Sequence, residues 1–385
     1  MTQFSKREFI KTGFCSLCGL AFGIPAMGRM IGKNNAGFLA KLPEEELWKW
    51  SKEAMYYIST PRGIKCLLCP QACVLKEGEV GDCKTNVNYG EKLYSITYGN
   101  PCAVHVDPIE KKPLFHFLPE TLAFSIATAG CNLACLNCQN WEISQSSPKE
   151  TRNYDLFPDQ VVKKAKDYQC QSIAYTYSDP VAFYEYTYDT SKLAREEGLK
   201  NVLISAGYIN EEPLRELCKY ADAANIDLKS FSNEIYEMLN AGTLEPILNT
   251  LKILKEEGIW LEITNLVVPD WTDDFDMIKK MCAWLAENGF EDTPLHFSRF
   301  HPTYKLQKLP PTPRSTLMKA RETGFSEGLK YVYVGNIPGT DAENTYCPNC
   351  NKLIIKRKGF SILENHIVDA RCAYCETKIA GRWEI

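Results

Sequence analysis

The stretch TLAFSIATAGCNLACLNCQNW, residues 121–141, joins an apolar run directly to three closely spaced cysteines. Leu122–Ala127 is short and apolar, which predicts a buried β-strand. Cys131, Cys135 and Cys138 then occupy the loop at the carboxyl end of that strand, where barrel enzymes carry their chemistry. We therefore expect this loop to be the functional centre of the chain.

Thiolates at this spacing can each bind one iron of a cubane cluster. Because no fourth cysteine lies close by in the sequence, one iron would keep an open coordination position for a substrate or cofactor. The alternative from the residues alone is a zinc ion bound by three thiolates and completed by a distant histidine.

The C-x3-C-x2-C triplet after a strand resembles the radical S-adenosylmethionine (SAM) superfamily. The resemblance implies a [4Fe-4S] cluster on Cys131, Cys135 and Cys138, whose open iron binds the amino and carboxylate groups of SAM. It also implies reductive cleavage of SAM to a 5′-deoxyadenosyl radical, so that the protein's task is positioning and exclusion of water. The residue before the third cysteine is often aromatic in the superfamily, whereas here it is Asn137.

Composition limits the remaining function classes. The 385 residues suggest two or three units, and a net charge of -4 without long Lys/Arg runs argues against nucleic-acid binding. The 17 cysteines fall mostly into three tight clusters, a distribution that favours metal ligation over a disulfide scaffold. Four scattered cysteines are interpreted as small buried hydrophobes: Cys102, Cys170, Cys218 and Cys282.

The first thirty residues resemble a targeting segment. Residues 5–11, SKREFIK, resemble a twin-arginine export signature with Lys6 in place of the first arginine, and 12–27 has the length of a signal core but is too short for a membrane span. SAM and low-potential electron donors are cytoplasmic, so export, retention and an uncleaved anchor all stay open. Residues 1–33 are predicted to be a signal or anchor of this kind.

Residues 34–115 are predicted to form an N-terminal region with a linker and a helix over Pro43–Ile58. A patch of four cysteines follows in a stretch too short for a hydrophobic core of its own, which favours a bound metal that holds it. The alternative is four reduced thiols packed against the barrel. Zinc and a second iron–sulfur cluster both suit this spacing. The four are Cys66, Cys69, Cys73 and Cys83.

Short apolar runs alternate with helical patterns over residues 116–340. This βα repetition predicts an α/β fold with a parallel sheet, and six or seven units indicate a partial (β/α)6-type radical SAM barrel whose lateral opening admits a large substrate. The predicted strands are Leu122–Ala127, Ser172–Thr176, Asn201–Ser205, Ala223–Asp227, Trp260–Val267, Pro294–Ser298 and Tyr331–Val334. The predicted helices are Asp159–Asp167, Val181–Glu196, Glu211–Tyr220, Pro246–Glu257, Asp274–Glu287 and Ser315–Glu327.

Residues at the carboxyl ends of these strands are candidates for cofactor binding. The resemblance implies that Asp179 supplies a carboxylate to the amino group of SAM, while the alternative is a cap on the following helix. Ser205 offers a hydroxyl at the next strand end. Asp227 and Lys229 share a face of an extended chain and match an Asp-Leu-Lys signature of activating enzymes, with a rim salt bridge as the alternative.

The fifth predicted strand places Glu262 and Thr264 on one inward face. A buried glutamate needs a partner, and we expect Lys229 or the SAM ribose to fill that role. His296 and His301 flank the next strand end and are interpreted as structural.

Residues 341–385 carry two C-x2-C pairs separated by 21 residues, which predicts a zinc ribbon with a hairpin insert. Rubredoxin-like iron is the chemical alternative. The basic run 356–358 is expected to lie on a solvated hairpin edge. The predicted ligands are Cys347, Cys350, Cys372 and Cys375.

In combination, these motifs resemble the radical SAM enzymes of the AmmeMemoRadiSam system, relatives of the pyruvate formate-lyase activating enzymes. The carriers of the resemblance are the four-cysteine patch, the run DPIEKKPLFH over residues 107–116, the triplet followed by Gln139 and Asn140, and the ribbon. The substrate is not settled in the family that these motifs resemble. The resemblance also implies a low-potential electron donor and Memo-like and Amme-type partner proteins. The alternatives are a glycyl radical enzyme activase and a non-enzymatic iron–sulfur or zinc protein.

Overall fold

The chain divides into two units, Met1–Lys49 and Trp50–Ile385, and the computed structural model describes residues 48–384. The predicted signal or anchor of residues 1–33 lies outside the described residues. Among residues 48–384, no helix combines the length and apolar character needed to cross a membrane.

Two small antiparallel sheets form the N-terminal part of the second unit. One has the strand order Lys52–Glu53, Lys92–Ser95, Asn86–Tyr89, and the other Tyr57–Thr60, Gly63–Cys66, Val74–Leu75. The predicted helix over Pro43–Ile58 is wrong in its described part, because Tyr57 and Ile58 lie in a strand that pairs with the one ending at Cys66. The strands are β1 (Lys52–Glu53), β2 (Tyr57–Thr60), β3 (Gly63–Cys66), β4 (Val74–Leu75), β5 (Asn86–Tyr89) and β6 (Lys92–Ser95).

An eight-stranded sheet forms the centre of the fold. Its strands are β7 (Ala103–Pro108), β8 (Leu122–Ala127), β9 (Ser172–Tyr175), β10 (Lys200–Ser205), β11 (Ala223–Asp227), β12 (Trp260–Val267), β13 (Leu295–Arg299) and β14 (Val332–Gly335). Across the sheet the strands follow one another in sequence order, from β7 at one edge to β14 at the other, and the neighbouring strands from β8 to β14 are all parallel. The predicted partial barrel is therefore confirmed, with β7 as an additional antiparallel strand beside β8.

The helices occur between the strands, as the sequence predicts. They are α1 (Trp141–Ser144), α2 (Pro158–Asp167), α3 (Tyr184–Glu196), α4 (Glu211–Cys218), α5 (Asn233–Ile235), α6 (Glu245–Glu256), α7 (Phe275–Glu287) and α8 (Arg314–Ser326). A π-helical turn, Tyr236–Asn240, continues α5. Alternate strand residues such as Phe124 and Ile173 belong to the main apolar core together with the helices.

The opposite faces of the strands line the barrel interior, where small residues make room for a plug. Ala123, Ala174 and Ala223 are fully buried against Leu114 and Phe117, which belong to the segment between β7 and β8. This segment fills the amino-terminal end of the barrel. Polar residues farther along the same strand faces are thereby left to line the carboxyl-terminal end.

The C-terminal region packs against this plug. His116 Nδ1 lies 2.6 Å from the carbonyl oxygen of Ala380, and the Arg357 guanidinium donates to the carbonyl oxygen of Phe115 at 2.9 Å. Arg357 is 5% exposed, so the expectation of a fully solvated basic run is wrong at this residue, which the plug covers. The strands are β15 (Thr345–Tyr346), β16 (Leu353–Lys358), β17 (Ser361–Asn365), β18 (Ile367–Val368) and β19 (Arg371–Cys372).

Candidate functional site

A cavity of about 480 Å³ opens at the carboxyl ends of the parallel strands. Its size suits a cofactor-sized ligand, since small-molecule sites typically span about 300–1,000 Å³. Side chains from the strand ends and from the loops that follow them form its wall. They include Cys131, Cys135, Cys138, Asp179, Ser205, Asp227 and Lys229.

Two segments hold the cysteine loop in place: the π-helical turn Tyr236–Asn240 and the N-terminal stretch around Cys83. Ala134 N donates to the carbonyl oxygen of Asn240 at 3.0 Å, and Leu136 N donates to that of Leu239 at 2.8 Å. Gly130 opens the loop with φ of +96°, and a Cβ there would lie 2.4 Å from the carbonyl oxygen of Cys83. Only glycine fits this position, because both the left-handed backbone and the close contact exclude a side chain.

Cys131, Cys135 and Cys138 meet the requirements for a three-cysteine cubane site. All three line the cavity and are buried or half-buried. Ser178 also lines the cavity, and its buried hydroxyl has no hydrogen-bond partner within residues 48–384. An unsatisfied polar group beside three thiols indicates that a ligand completes this wall.

Asp179 caps a 3-10 turn and also fastens the end of β10. Its carboxylate accepts hydrogen bonds from Val181 N at 3.0 Å, Ser205 Oγ at 3.0 Å and Ala206 N at 2.8 Å. Burial raises the pKa of Asp179, although these hydrogen bonds oppose the shift. The cap anticipated as an alternative is thus present, and the same contacts engage Ser205.

Asp227 and Lys229 form an ion pair on the cavity wall, with Nζ 2.7 Å from Oδ2. Burial alone would lower the pKa of Lys229, but the Asp227 carboxylate and the nearby Cys135 thiol outweigh it and raise the pKa. The backbone N–H of Lys229 donates to the Tyr236 hydroxyl at 2.9 Å. The predicted shared face is therefore observed, together with the salt bridge that was its alternative.

Glu262 lies beneath the cavity and has protein partners. Its carboxylate accepts from Phe115 N at 3.0 Å and His116 N at 2.7 Å, and it lies 2.7 Å from His296 Nε2. The expected pairing with Lys229 is wrong, because the plug segment and β13 supply closer donors. Burial would raise the pKa of Glu262, but the hydrogen bond from His296, the charges of His296 and His116 and the hydrogen bond from Phe115 N together outweigh it and lower the pKa.

Both carboxylate oxygens of Glu262 are used in this way, and the residue is fully buried. It therefore joins the plug to β12 and does not face the open cavity where a ribose would lie. His296 shares this structural role, while His301 is exposed at the rim.

One group in the cavity wall was not predicted as functional. Asp107 accepts hydrogen bonds from Lys111 Nζ at 2.8 Å, Lys112 Nζ at 2.6 Å and the Tyr177 hydroxyl. Lys111, Lys112 and Tyr177 line the cavity, and Tyr177 has a left-handed φ of +64°. In the sequence, only the run DPIEKKPLFH over residues 107–116 pointed to this group, and it does not indicate a role for any of these side chains.

The two remaining cysteine clusters lie outside this cavity and differ from each other. Cys347, Cys350, Cys372 and Cys375 have thiol sulfurs within 4.8 Å of one another, and in the described part of the chain only this group meets that criterion. A tetrahedral zinc with bonds of about 2.3 Å requires sulfurs about 3.8 Å apart, which matches the 3.6 and 3.8 Å of two of these pairs. The four cysteines of the N-terminal patch instead surround a small separate cavity.

Comparison with known proteins agrees with this arrangement. A family model described as "Radical SAM superfamily" matches residues 125–290. An uncharacterized protein of Methanocaldococcus jannaschii is 47% identical over 331 residues, which span 85% of this chain and 98% of that protein. The pyruvate formate-lyase 1-activating enzyme of Escherichia coli K12 is 23% identical over 220 residues, covering 53% of this chain and 89% of the enzyme.

A solved domain of the pyruvate-formate lyase-activating enzyme from Bacteroides vulgatus is also similar. It is 16% identical, with a TM-score of 0.38, over 43% of this chain and 99% of that domain.

Proposed function

The chain belongs to the same family as the Methanocaldococcus jannaschii protein and carries a radical SAM superfamily domain, and from this premise we propose that its cavity binds a [4Fe-4S] cluster together with SAM. Cys131, Cys135 and Cys138 are the proposed cluster ligands. The cluster, when bound and reduced, supplies the electron that cleaves SAM and starts radical chemistry on a substrate. Radical SAM enzymes need an electron donor for this purpose.

The observation that carries the proposal is the convergence of three thiols on one cavity of about 480 Å³, which has room for a further ligand. The zinc alternative requires a histidine as fourth ligand. His296 is the only histidine among the described residues that line the cavity, and its Nε2 is engaged by Glu262. Three thiols without a free histidine favour a cluster with one open iron.

The other walls of the cavity supply binding and orientation. Lys229 places a positive charge next to Cys135, which balances part of the negative charge that thiolates bring to an enclosed site. Asp179 fixes the loop after β9 to the end of β10, so that the backbone facing SAM is held in one position. We propose SAM contacts for Asp179, Ser205, Asp227 and Lys229, and none for Glu262.

Lys111, Lys112 and Tyr177 form the substrate wall in this proposal, because they line the cavity and are not among the proposed cluster ligands or SAM contacts. Phe360, 52% exposed at the tip of the β16–β17 hairpin, also reaches the cavity lining. A ribbon that bears this residue would take part in substrate docking while its own metal stays structural.

A test of SAM binding follows from the open iron. After anaerobic reconstitution and reduction, addition of SAM should change the electron paramagnetic resonance (EPR) spectrum of the cluster on Cys131, Cys135 and Cys138. The change should be absent when the three cysteines are replaced by alanine. An unchanged spectrum in the reconstituted wild-type protein would contradict SAM binding at this cluster.

The sequence similarity to activating enzymes favours one alternative function, activation of a glycyl radical enzyme. Co-expression with candidate partners separates the two, because an activase leaves a glycyl radical signal on its partner. The assignment to the AmmeMemoRadiSam system, with Memo-like and Amme-type partners, rests on the combination of sequence motifs. A SAM-dependent mass change in a Memo-like or Amme-type partner would support it.

A further inference from the structure

The four-cysteine patch surrounds a small cavity next to the cysteine loop. Cys66 ends β3, and its backbone N–H donates to the carbonyl oxygen of Cys73 at 2.9 Å, which folds the segment between them into a loop. A second turn brings in Cys83, whose Sγ receives a hydrogen bond from Thr85 Oγ1 at 3.1 Å. The four thiols line one small cavity, together with apolar side chains that include Leu68, Leu75 and Val181.

The ribbon provides an internal standard for a single-ion site. Its four sulfurs lie within 4.8 Å of one another, whereas no such grouping occurs at the patch, although both are part of the described residues. Sulfurs on different irons of a cubane stand farther apart than sulfurs that share one zinc, because the inorganic core separates them. The sulfurs of the cysteine triplet are likewise not all within 4.8 Å of one another, as at the patch.

Hydrogen bonding at the patch also suits a cluster. Gly81 faces two of the sulfurs, and an added Cβ would lie 3.6 Å from Cys83 Sγ and 3.8 Å from Cys73 Sγ. The Asn86 side-chain amide points at Cys66 Sγ from 4.0 Å. Hydrogen bonds to the sulfurs and burial are the features by which a protein tunes an iron–sulfur cluster.

The four-cysteine patch and the cysteine triplet are neighbours in the fold and meet at Gly130 and Asn132. Asn132, the residue after Cys131, lines the cavity of the patch. Gln71, between two patch cysteines, donates to the carbonyl oxygen of Asn132 at 3.0 Å. The backbone of Cys83 lies against Gly130 at a distance that leaves no room for a side chain.

We propose that Cys66, Cys69, Cys73 and Cys83 hold a second [4Fe-4S] cluster that passes electrons to the cluster on the triplet. Four thiolates occupy every iron, so this cluster has no open position for a substrate and serves electron transfer. Each transfer oxidises the patch cluster by one electron and reduces the triplet cluster by one, and a low-potential one-electron donor restores the first. The destination of the electron rests on the proposed function, whereas the identity of the bound group does not.

The identity of the group is tested by metal analysis of the variant in which Cys131, Cys135 and Cys138 are replaced by alanine. After anaerobic reconstitution with iron and sulfide, this variant should retain about four irons and about four sulfides per chain, against about eight of each in the wild type. Replacing the four patch cysteines by alanine should likewise leave about four irons. A patch that binds zinc and no iron in the triplet variant would overturn the proposal.

The electron-transfer role has a separate readout. Two reduced clusters this close should couple magnetically, so the EPR spectrum of the reduced wild type should be broader, and should relax faster, than the sum of the two variant spectra. A wild-type spectrum equal to that sum would refute the relay. Loss of SAM cleavage in a protein that keeps both clusters would instead count against the proposed function alone.

Discussion

Asp107 shows how single residues set the electrostatics of the cavity. Its carboxylate is 6% exposed and contacts Lys112, whose side chain is 2% exposed. Burial would raise the pKa of Asp107, but the Lys112 charge and the hydrogen bonds from Lys111, Lys112 and Tyr177 outweigh it and hold the pKa well below its usual range. The pair therefore exists as two charges whose mutual attraction depends on both partners being present.

An Asp107→Asn variant should be less stable than the wild type by about 3 kcal/mol at pH 7. Burial lowers the pKa of Lys112 to about 8 even beside Asp107, so without this carboxylate Lys112 must either keep an unpaired buried charge or give up its proton, and both cost free energy. The folded pKa of Asp107 is depressed, so its contribution is present above the unfolded pKa of about 3.9 and is lost as the pH falls below it. Urea unfolding at pH 7 and in acid measures both effects, and the difference between variant and wild type should shrink at low pH.

The exposed pair of Lys166 and Glu197 is the matched control, with both side chains 52% exposed. Glu197→Gln should leave the unfolding midpoint unchanged, because solvent screens exposed ion pairs. A loss of stability in Asp107→Asn no larger than in this control would contradict the account of the buried pair.

Residue-level prediction from sequence succeeds where local alternation decides and fails where distant segments meet. Asp227 and Lys229 lie two residues apart, so the strand geometry alone puts them on one face. Glu262 finds its two backbone donors 146 and 147 residues away, in a plug segment whose position depends on the assembled barrel. No pattern around Glu262 encodes that approach.

At the level of elements, the cysteine loop depends on a contact with the N-terminal patch. An added side chain at Gly130 would collide with the Cys83 carbonyl and Thr85, each at 2.4 Å, and the backbone there is left-handed. The loop and the patch therefore fix each other's positions.

Gly130→Ala should lower the iron bound per chain by about half or more, because the loop cannot keep both its contact and its cysteine positions. Gly198→Ala is the control, since Gly198 has a similarly left-handed φ of +76° with open space around it. Iron and sulfide analysis after reconstitution measures the effect. Equal iron content in the two variants would show that the contact does not position the loop.

The ribbon is an element whose thiols are already arranged for one ion. Cys372→Ala should destabilise the protein by at least about 3 kcal/mol and release its metal, since a structural zinc supplies about 10 kcal/mol or more of binding free energy. SAM cleavage per folded molecule should be retained.

Cys282→Ala provides the matched control, because Cys282 is fully buried in the core and belongs to no cysteine cluster. Thermal unfolding with zinc analysis compares the two variants. A Cys372→Ala protein that stays folded without zinc yet cleaves no SAM would move the ribbon from scaffold to active site.

Elements of the barrel could be predicted to within a few residues, since apolar strands and amphipathic helices alternate there with clear periods. The antiparallel strand Ala103–Pro108 was missed although Val104 and Val106 alternate with polar residues, because the alternation is short and the strand is mostly half-buried, so that pairing with Leu122–Ala127 determines it. The strands from Lys52 to Cys66 were missed because they are short and only half-buried, so pairing with each other, and not local sequence, determines them.

At the scale of the whole described structure, the proposed function would divide chemistry, electron supply and stability among the three groups of cysteines. The barrel is closed at one end by the plug, and the ribbon holds that plug through Arg357 and His116. The open end carries the triplet, with the patch directly behind it. Electrons would therefore enter from the N-terminal side and substrate from the side of the cavity mouth.

The central claim is that Cys131, Cys135 and Cys138 make this protein a SAM-cleaving enzyme. The most direct measurement is the yield of 5′-deoxyadenosine from SAM after anaerobic reconstitution and reduction with dithionite. The account predicts formation of 5′-deoxyadenosine by the wild type and by a Cys170→Ala control, and none by the variant with all three cysteines replaced by alanine. A triple variant that forms 5′-deoxyadenosine at the wild-type rate would contradict it.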